Sequence, residues 1–180
     1  MRYDGTYTTR LLEKFGDRMS LDLAELSEHN LDFVVERLAS EGQSTQAATG
    51  IMINAGLIDA PDDTYDRVFL PQVFEAVPDL QTLLSETARV LKSGGKAVLS
   101  VRNLYSWFGL NYALRLRRFQ IPNLGPSRPI PSALIRKEAR YHFLINDEFG
   151  CSSLPNRIVQ TLRGVPGRYC RFYILELSRA

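Results

Sequence analysis

A chain of 180 residues, 44% hydrophobic and 23% charged, is long enough to form one domain around a hydrophobic core. It has no apolar run of about eighteen residues, and its first residues lack the apolar core of a signal peptide, so we predict neither a membrane-spanning helix nor an export signal. Cys151 and Cys170 are too few for a disulfide scaffold or a zinc site. We interpret them as reduced thiols of a cytoplasmic protein, with a functional pair as the alternative.

Charge is distributed unevenly along the chain. The net charge is +2, but residues 1–100 contain nine Lys and Arg against sixteen Asp and Glu, whereas residues 101–180 contain thirteen against four. We therefore expect the two parts to present different surfaces to partners.

The spacing of apolar residues switches repeatedly between helical and strand periods. In chain order, the predicted elements are a helix over 7–15, a strand over 19–23, a helix over 30–41, strands over 50–55 and 68–70, a helix over 79–93, a strand over 97–101, a helix over 107–121, and strands over 141–145 and 172–177. Asn30 and Asp79 are predicted to cap their helices, and Gly16, Gly42 and Gly94 to end the first three.

Strands that alternate with single helices are typical of a parallel sheet covered on both faces. The last two predicted strands have no clear helix between them, so we expect an antiparallel pair at the edge of the sheet. The sequence thus predicts an α/β fold.

The string over 65–103 carries the most specific pattern. An aromatic residue and Asp66 open a strand, the turn Phe74-Glu75-Ala76-Val77 follows, and after an amphipathic helix the chain reads Arg-Val-Leu-Lys-Ser-Gly-Gly up to Gly95 before a strand that runs to Asn103. This string resembles the core of class I S-adenosylmethionine-dependent methyltransferases of the type 11, ubiquinone-biosynthesis-like kind. The resemblance is good over 4–103 and covers the remainder in outline.

The resemblance implies a Rossmann-like, mostly parallel sheet with helices on both faces and a C-terminal antiparallel strand pair. It also implies a single domain over 1–180, with a cofactor-binding part over 1–103, an acceptor-side lid over 104–140 and terminal strands over 141–180. Gly94 is expected to be left-handed at the helix end, and Gly95 to allow a tight turn into the next strand.

The resemblance further implies that S-adenosylmethionine binds at the carboxyl ends of the strands. Asp22, with Leu23 beside it, is predicted to end its strand and to accept hydrogen bonds from both ribose hydroxyls; the alternative is a capping or solvated Asp. Asn54 and Ala55 stand where the family has an acidic and then a small residue facing adenine, and the Asn54 carbonyl can accept from the amino group. Asp59 is the alternative acidic residue.

Asp4 and Gly5 resemble the end of the family's glycine loop, and Leu70 and Pro71 are implied to run past the sulfonium. The family places an apolar strand and a further glycine before Asp4, so we expect the first strand and most of the glycine loop to be missing. Such a gap leaves strand edges unpaired unless the strands close up, the chain oligomerises or a partner covers it. We therefore expect residues 1–180 by themselves to bind the cofactor weakly or not at all.

Methyl transfer depends mainly on positioning, so the catalytic residue is left unassigned and no metal is expected. Asn103 and Tyr105 follow a strand and are candidates for the acceptor pocket. His142 is a third candidate, with a partly buried or surface histidine as the alternative.

The segment 115–140 combines seven basic residues with one acid. The basic residues are Arg115, Arg117, Arg118, Arg128, Arg136, Lys137 and Arg140. Such a segment is typical of a helix that contacts an anionic membrane surface or substrate, or of a lid helix with solvated arginines. Its aromatic residues have core spacing, so we expect no nucleic-acid partner.

Two functions follow from these patterns. The first is S-adenosylmethionine-dependent methyl transfer to a small molecule, lipidic or anionic, by O-, N- or C-methylation. The second is a non-catalytic, methyltransferase-like binding or scaffolding protein that has lost affinity for the cofactor.

Overall fold

A computed structural model of the chain describes residues 6–40, 48–106, 109–110, 120–121, 125–126, 128–151 and 170–179. The contacts of the chain divide it into two compact units, Met1–Asp59 and Ala60–Ala180. We call these the first and the second unit. The single domain over 1–180, with its division at 103 and 140, stays a prediction.

The described residues contain helices, a 3-10 turn and strands, among them a helix over 132–139 and short strands over 57–58, 120–121 and 125–126 that the sequence did not predict. The helices are α1 Thr6–Phe15, α2 Glu28–Ser40, α3 Leu80–Val90 and α4 Ser132–Ala139, and a 3-10 turn spans Gly16–Arg18. The strands are β1 Leu21–Glu25, β2 Ala48–Asn54, β3 Leu57–Ile58, β4 Tyr65–Pro71, β5 Leu91–Arg102, β6 Gln120–Ile121, β7 Gly125–Pro126, β8 Phe143–Cys151 and β9 Phe172–Arg179. Most of the predicted helix over 107–121 lies outside the described residues.

The first unit contains a three-stranded sheet in the order β1-β2-β3. β1 runs parallel to β2, with Glu25 opposite Met52, and β3 returns antiparallel to β2. Ala55 and Gly56 connect β2 to β3 with φ values of 53° and 96°. Two positive φ angles in a two-residue loop define a type I′ hairpin, a feature that the sequence analysis did not predict.

The core of the first unit lies between β1 and its two helices. Leu12 of α1 packs with Val34 and Leu38 of α2, and Leu21 and Leu23 of β1 lie against this cluster. Because alternate residues of a strand face the same side, α1 and α2 cover one face of β1 and Asp22 faces the other.

The second unit contains a four-stranded sheet in the order β4-β5-β9-β8. β4 and β5 are parallel, whereas β9 is antiparallel to both β5 and β8. The predicted C-terminal antiparallel pair is confirmed. β9 is the inner member of that pair and β8 lies at the edge of the sheet.

One face of this sheet forms the core of the second unit. Its buried side chains come from β5, from β9 and from the two helices that follow β4 and β5: Ala97, Leu99, Val101, Tyr173, Leu175, Leu177, Leu83, Leu84, Ile135 and Ala139. The buried residues Ala97, Leu99 and Val101 of β5 lie opposite the buried residues Leu177, Leu175 and Tyr173 of β9. The α/β fold class is therefore confirmed.

The cap predicted at the start of α3 is confirmed, but the predicted end of that helix is wrong. The Asp79 carboxylate accepts hydrogen bonds from the Gln81 amide at 3.0 Å and the Thr82 hydroxyl at 2.6 Å. The helix ends at Val90, because Leu91 is fully buried and opens β5 opposite Tyr65. Gly94 is left-handed as predicted, with φ 73°, but lies within β5.

No helix in the described part of the chain is long and apolar enough to span a bilayer.

Candidate functional site

A carboxylate and an amide side chain meet at one edge of the first unit. β1 ends at Glu25 and the parallel strand β2 ends at Asn54, two residues beyond the position opposite Glu25. Glu25 is half-buried, and this burial raises the pKa of its carboxyl group, while a hydrogen bond from the Leu26 amide opposes the shift. This edge thus presents a partly desolvated acid next to an exposed amide.

The prediction that Asp22 ends its strand is wrong. Asp22 is the second residue of β1, opposite Thr49, and three further residues separate it from the carboxyl end. At about 3.3 Å per residue, Asp22 lies about 10 Å from Glu25 along the strand. The Leu23 side chain packs against the core, so it does not contribute to this edge. Contacts of Asp22 and Leu23 with the ribose stay predictions. The positions of the two residues in β1 do not favour these contacts.

Glu25 was missed because the start of α2 was placed too late. The Ser27 carbonyl accepts hydrogen bonds from the amides of Asn30 and Leu31, each at 3.1 Å, so α2 begins directly after Ser27. Asn30, the predicted cap, lies inside the helix. Ser followed by an acidic residue is a helix-start signal, and it would have moved the end of the strand to Glu25.

The predicted adenine residues lie at the expected end of β2. Asn54 is exposed and opposite Leu57, and Ala55 is the first residue of the hairpin turn. Asp59, the alternative acid, lies farther back along the hairpin, because its amide donates to the Met52 carbonyl at 3.3 Å. Contacts of Asn54 and Ala55 with adenine stay predictions.

In the second unit, the chain turns sharply at the carboxyl end of β4. Leu70 is buried and Pro71 is half-buried, so the Leu70 side chain belongs to the core. Gln72 has φ 57°, and its amide donates to the Ser100 carbonyl of β5 at 2.9 Å. Any contact of Leu70 with a cofactor would therefore use its backbone.

Glu75 ties the turn after β4 to the end of β5. Its Oε1 accepts a hydrogen bond from the Arg102 amide at 2.5 Å, and Arg102 Nε lies 3.9 Å from the same oxygen. The side chain is buried, and this burial raises the pKa of the Glu75 carboxyl group. Glu75 Oε2 has no hydrogen-bond partner among the described residues.

Asn103 joins three segments of the second unit. Its Nδ2 donates to the Cys170 carbonyl at 3.1 Å, and its Oδ1 accepts from the amides of Tyr105 at 3.1 Å and Ser132 at 3.3 Å. Asn103 is buried, whereas Tyr105 beside it is 52% exposed. Contact of Asn103 and Tyr105 with an acceptor stays a prediction. The side-chain amide of Asn103 already forms hydrogen bonds with backbone groups.

His142 is not near the other two acceptor candidates. Both positions can be located along β9. His142 directly precedes Phe143 of β8, which lies opposite Arg179, at the end of β9. Asn103 directly follows Arg102 of β5, which lies opposite Phe172, at the start of β9. The two positions are about 23 Å apart along β9. His142 is partly buried, with Nε2 at 3.1 Å from Gln81 Oε1, so the alternative interpretation fits its surroundings. A shared acceptor pocket of Asn103, Tyr105 and His142 stays a prediction that these positions do not favour.

Some candidates cannot be placed. Asp4, Gly5 and the arginines at 115, 117 and 118 lie outside the described residues.

The described residues of the first unit fit S-adenosylmethionine. Its ribose carries two hydroxyl donors, which a carboxylate such as Glu25 accepts well, and its adenine amino group can donate to the Asn54 carbonyl. The parallel pairing of β1 and β2 places these two side chains at the same edge.

Parallel pairs β1–β2 and β4–β5, followed by antiparallel β9 and β8, define the α/β fold of the S-adenosylmethionine-dependent methyltransferases. The chain matches the model of the methyltransferase domain family over residues 4–99. The chain therefore belongs to the methyltransferase domain family.

The chain is also similar to a curated methyltransferase. It is 34% identical over 99 residues to a demethylmenaquinone methyltransferase of Bacillus licheniformis, a match that covers 53% of this chain and 43% of that protein. The chain thus spans less than half of that curated relative.

Solved structures show the same fold. A methyltransferase of Thermotoga maritima superposes with a TM-score of 0.66 at 15% identity, over 87% of this chain and 72% of that one. Geranyl diphosphate C-methyltransferase of Streptomyces coelicolor gives a TM-score of 0.67 at 15% identity, over 98% and 68%.

Proposed function

We propose that this domain transfers a methyl group from S-adenosylmethionine to a small-molecule acceptor that is lipidic or anionic. The observation that carries the proposal is the placement of Glu25 and Asn54 at one edge of the parallel pair β1–β2. Membership of the methyltransferase domain family supports the reaction class.

Three groups of the first unit have roles in this proposal. Glu25 accepts hydrogen bonds from the ribose hydroxyls, the Asn54 carbonyl accepts from the adenine amino group, and the Ala55 amide donates to a ring nitrogen. The bound cofactor supplies an activated methyl group on its sulfonium, and the protein contributes mainly by orienting the acceptor.

The character of the acceptor is inferred from charge and from relatives. Residues 101–180 have a net charge of +9, and two relatives are named for demethylmenaquinone and geranyl diphosphate. On α4, Ile135 and Ala139 face the core, whereas Leu134 and Lys137 are exposed; Tyr141, two residues beyond the end of the helix, is exposed as well. An apolar and basic surface of this kind suits an anionic membrane that carries a lipidic acceptor.

Replacement of both Lys137 and Arg140 by Gln is expected to reduce binding of the whole protein to anionic lipid vesicles, because each cation contributes about 1 kcal/mol near such a surface. Co-sedimentation with vesicles at low salt measures the change, and added salt should mimic it. Lys92→Gln is the control, since Lys92 is also exposed but pairs closely with Asp66, at 2.9 Å, whereas Lys137 lies 3.9 Å from Glu138. Equal binding by all three proteins would rule out this surface.

The two free cysteines are consistent with a reducing compartment, and we place the protein in the cytoplasm.

The reaction is tested with S-adenosylmethionine labelled in its methyl group. The whole protein is incubated with small-molecule and lipid extracts, and label that leaves the cofactor is followed into each fraction. Transfer into a lipid or an anionic fraction supports the proposal. Absence of transfer together with absence of cofactor binding favours the scaffolding function instead.

A further inference from the structure

The two cysteines lie at the same corner of the sheet in the second unit. Cys151 ends β8 and lies opposite Phe172, the first residue of β9. Cys170 precedes Phe172 by two residues in the bend that leads into β9, and a continued antiparallel ladder would make it the diagonal neighbour of Cys151. Burial raises the pKa of the Cys170 thiol, and the Cys151 thiol adds to this shift.

This placement is close to what a disulfide requires. Diagonal neighbours have Cα atoms about 7–8 Å apart, and a disulfide needs a Cα separation of at most about 7 Å. These two general distances differ by about 1 Å, and Cys170 and Arg171 form a bend beyond the end of the ladder, where the backbone is not held by strand pairing.

We propose that Cys151 and Cys170 form a reversible intramolecular disulfide when the protein meets a peroxide. Cys151 is exposed and Cys170 is half-buried, so the solvent-borne oxidant reaches Cys151 first. The raised pKa of Cys170 also makes its thiol the weaker first nucleophile.

The chemistry balances in two steps. The Cys151 thiolate attacks one peroxide oxygen, the O–O bond breaks, and Cys151 becomes a sulfenic acid as the other oxygen leaves and is protonated to water. The Cys170 thiolate then attacks the Cys151 sulfur, the S–S bond forms, and the sulfenic hydroxyl leaves and is protonated to a second water. Two thiols lose two electrons and one peroxide gains them.

The disulfide would act on the end of β5. The Cys170 carbonyl accepts a hydrogen bond from Asn103 Nδ2, and the Arg171 carbonyl accepts from the Asn103 amide at 2.9 Å. Movement of Cys170 toward Cys151 therefore shifts the carbonyl to which the buried Asn103 side chain donates. The same side chain also accepts hydrogen bonds from the amides of Tyr105 and Ser132. Oxidation is thereby coupled to the segment that directly follows β5.

Treatment of the dilute whole protein with hydrogen peroxide tests this pair. We expect both thiols to be lost together, a peptide that links Cys151 to Cys170 in the mass map, and complete reversal by dithiothreitol. In Cys170→Ser, sulfenic acid at Cys151 should accumulate and react with dimedone. In Cys151→Ser, dimedone labelling of Cys170 should be several-fold lower.

Three outcomes would overturn the proposal. They are retention of both thiols at peroxide levels that oxidise free glutathione, direct oxidation of Cys151 to sulfonic acid in the wild type, and disulfides found only between separate chains on a non-reducing gel.

Discussion

Asn103→Ala is expected to lower the free energy of unfolding by about 3–5 kcal/mol, which makes it one of the two most damaging substitutions considered for this chain. The change removes a buried amide that serves three backbone groups, the Cys170 carbonyl and the amides of Tyr105 and Ser132. Each buried polar group left without a partner costs about 1–3 kcal/mol. Urea unfolding followed by circular dichroism measures the loss.

Asn103→Asp is the matched control. A carboxylate keeps an acceptor for the amides of Tyr105 and Ser132 but cannot donate to the Cys170 carbonyl, so we expect an intermediate loss of stability. If Asn103→Ala is as stable as the wild type, the side chain does not join these segments and remains available for an acceptor.

Glu75→Ala is expected to cost about 2–4 kcal/mol of unfolding free energy. It leaves the buried Arg102 amide without its acceptor and creates a cavity at a side chain that is 1% exposed. Glu75→Gln keeps the acceptor and the volume, so it should retain most of the stability. A Gln variant as unstable as the Ala variant would show that the carboxylate charge, and not the hydrogen bond, matters.

The raised pKa of Glu75 also predicts a pH dependence. Above pH 4.5 the unfolded carboxyl has released its proton while the folded one retains it, so its contribution to stability is present below that pH and is lost as the pH rises through the folded pKa. Glu75→Gln does not titrate. We expect the stability of the wild type relative to Glu75→Gln to fall with rising pH, and parallel profiles in urea unfolding would contradict this.

Local patterns predicted the elements whose ends are marked by strong signals. Asp79 and the apolar periodicity of α3 identified its start, and the strand at 97–101 lies within β5. The end of α3 was misplaced because Leu91 continues the helical spacing, and its burial opposite Tyr65 depends on a partner distant in sequence. Ala55 gave no signal of a type I′ turn, because Ala rarely adopts a positive φ.

Long-range order limited the prediction of the site. Asn103 is a candidate from sequence because it follows a strand, and His142 because it lies in the acceptor-side half of the chain. β9 lies between β5 and β8 and is antiparallel to both, which separates the positions of Asn103 and His142 in the sheet. Local sequence does not reveal this strand order. Glu25 could have been found from Ser27, whereas the hydrogen bond from Arg102 to Glu75 requires the folded sheet.

The central claim is that S-adenosylmethionine binds at the carboxyl edge of β1 and β2, with Glu25 on the ribose. Calorimetric titration of the whole protein with S-adenosylhomocysteine tests it most directly. We predict saturable binding that Glu25→Ala weakens by about 1–3 kcal/mol, whereas Asp22→Ala changes it by less than about 0.5 kcal/mol. A folded Glu25→Ala variant with wild-type affinity, or a wild type that does not bind, would contradict the claim.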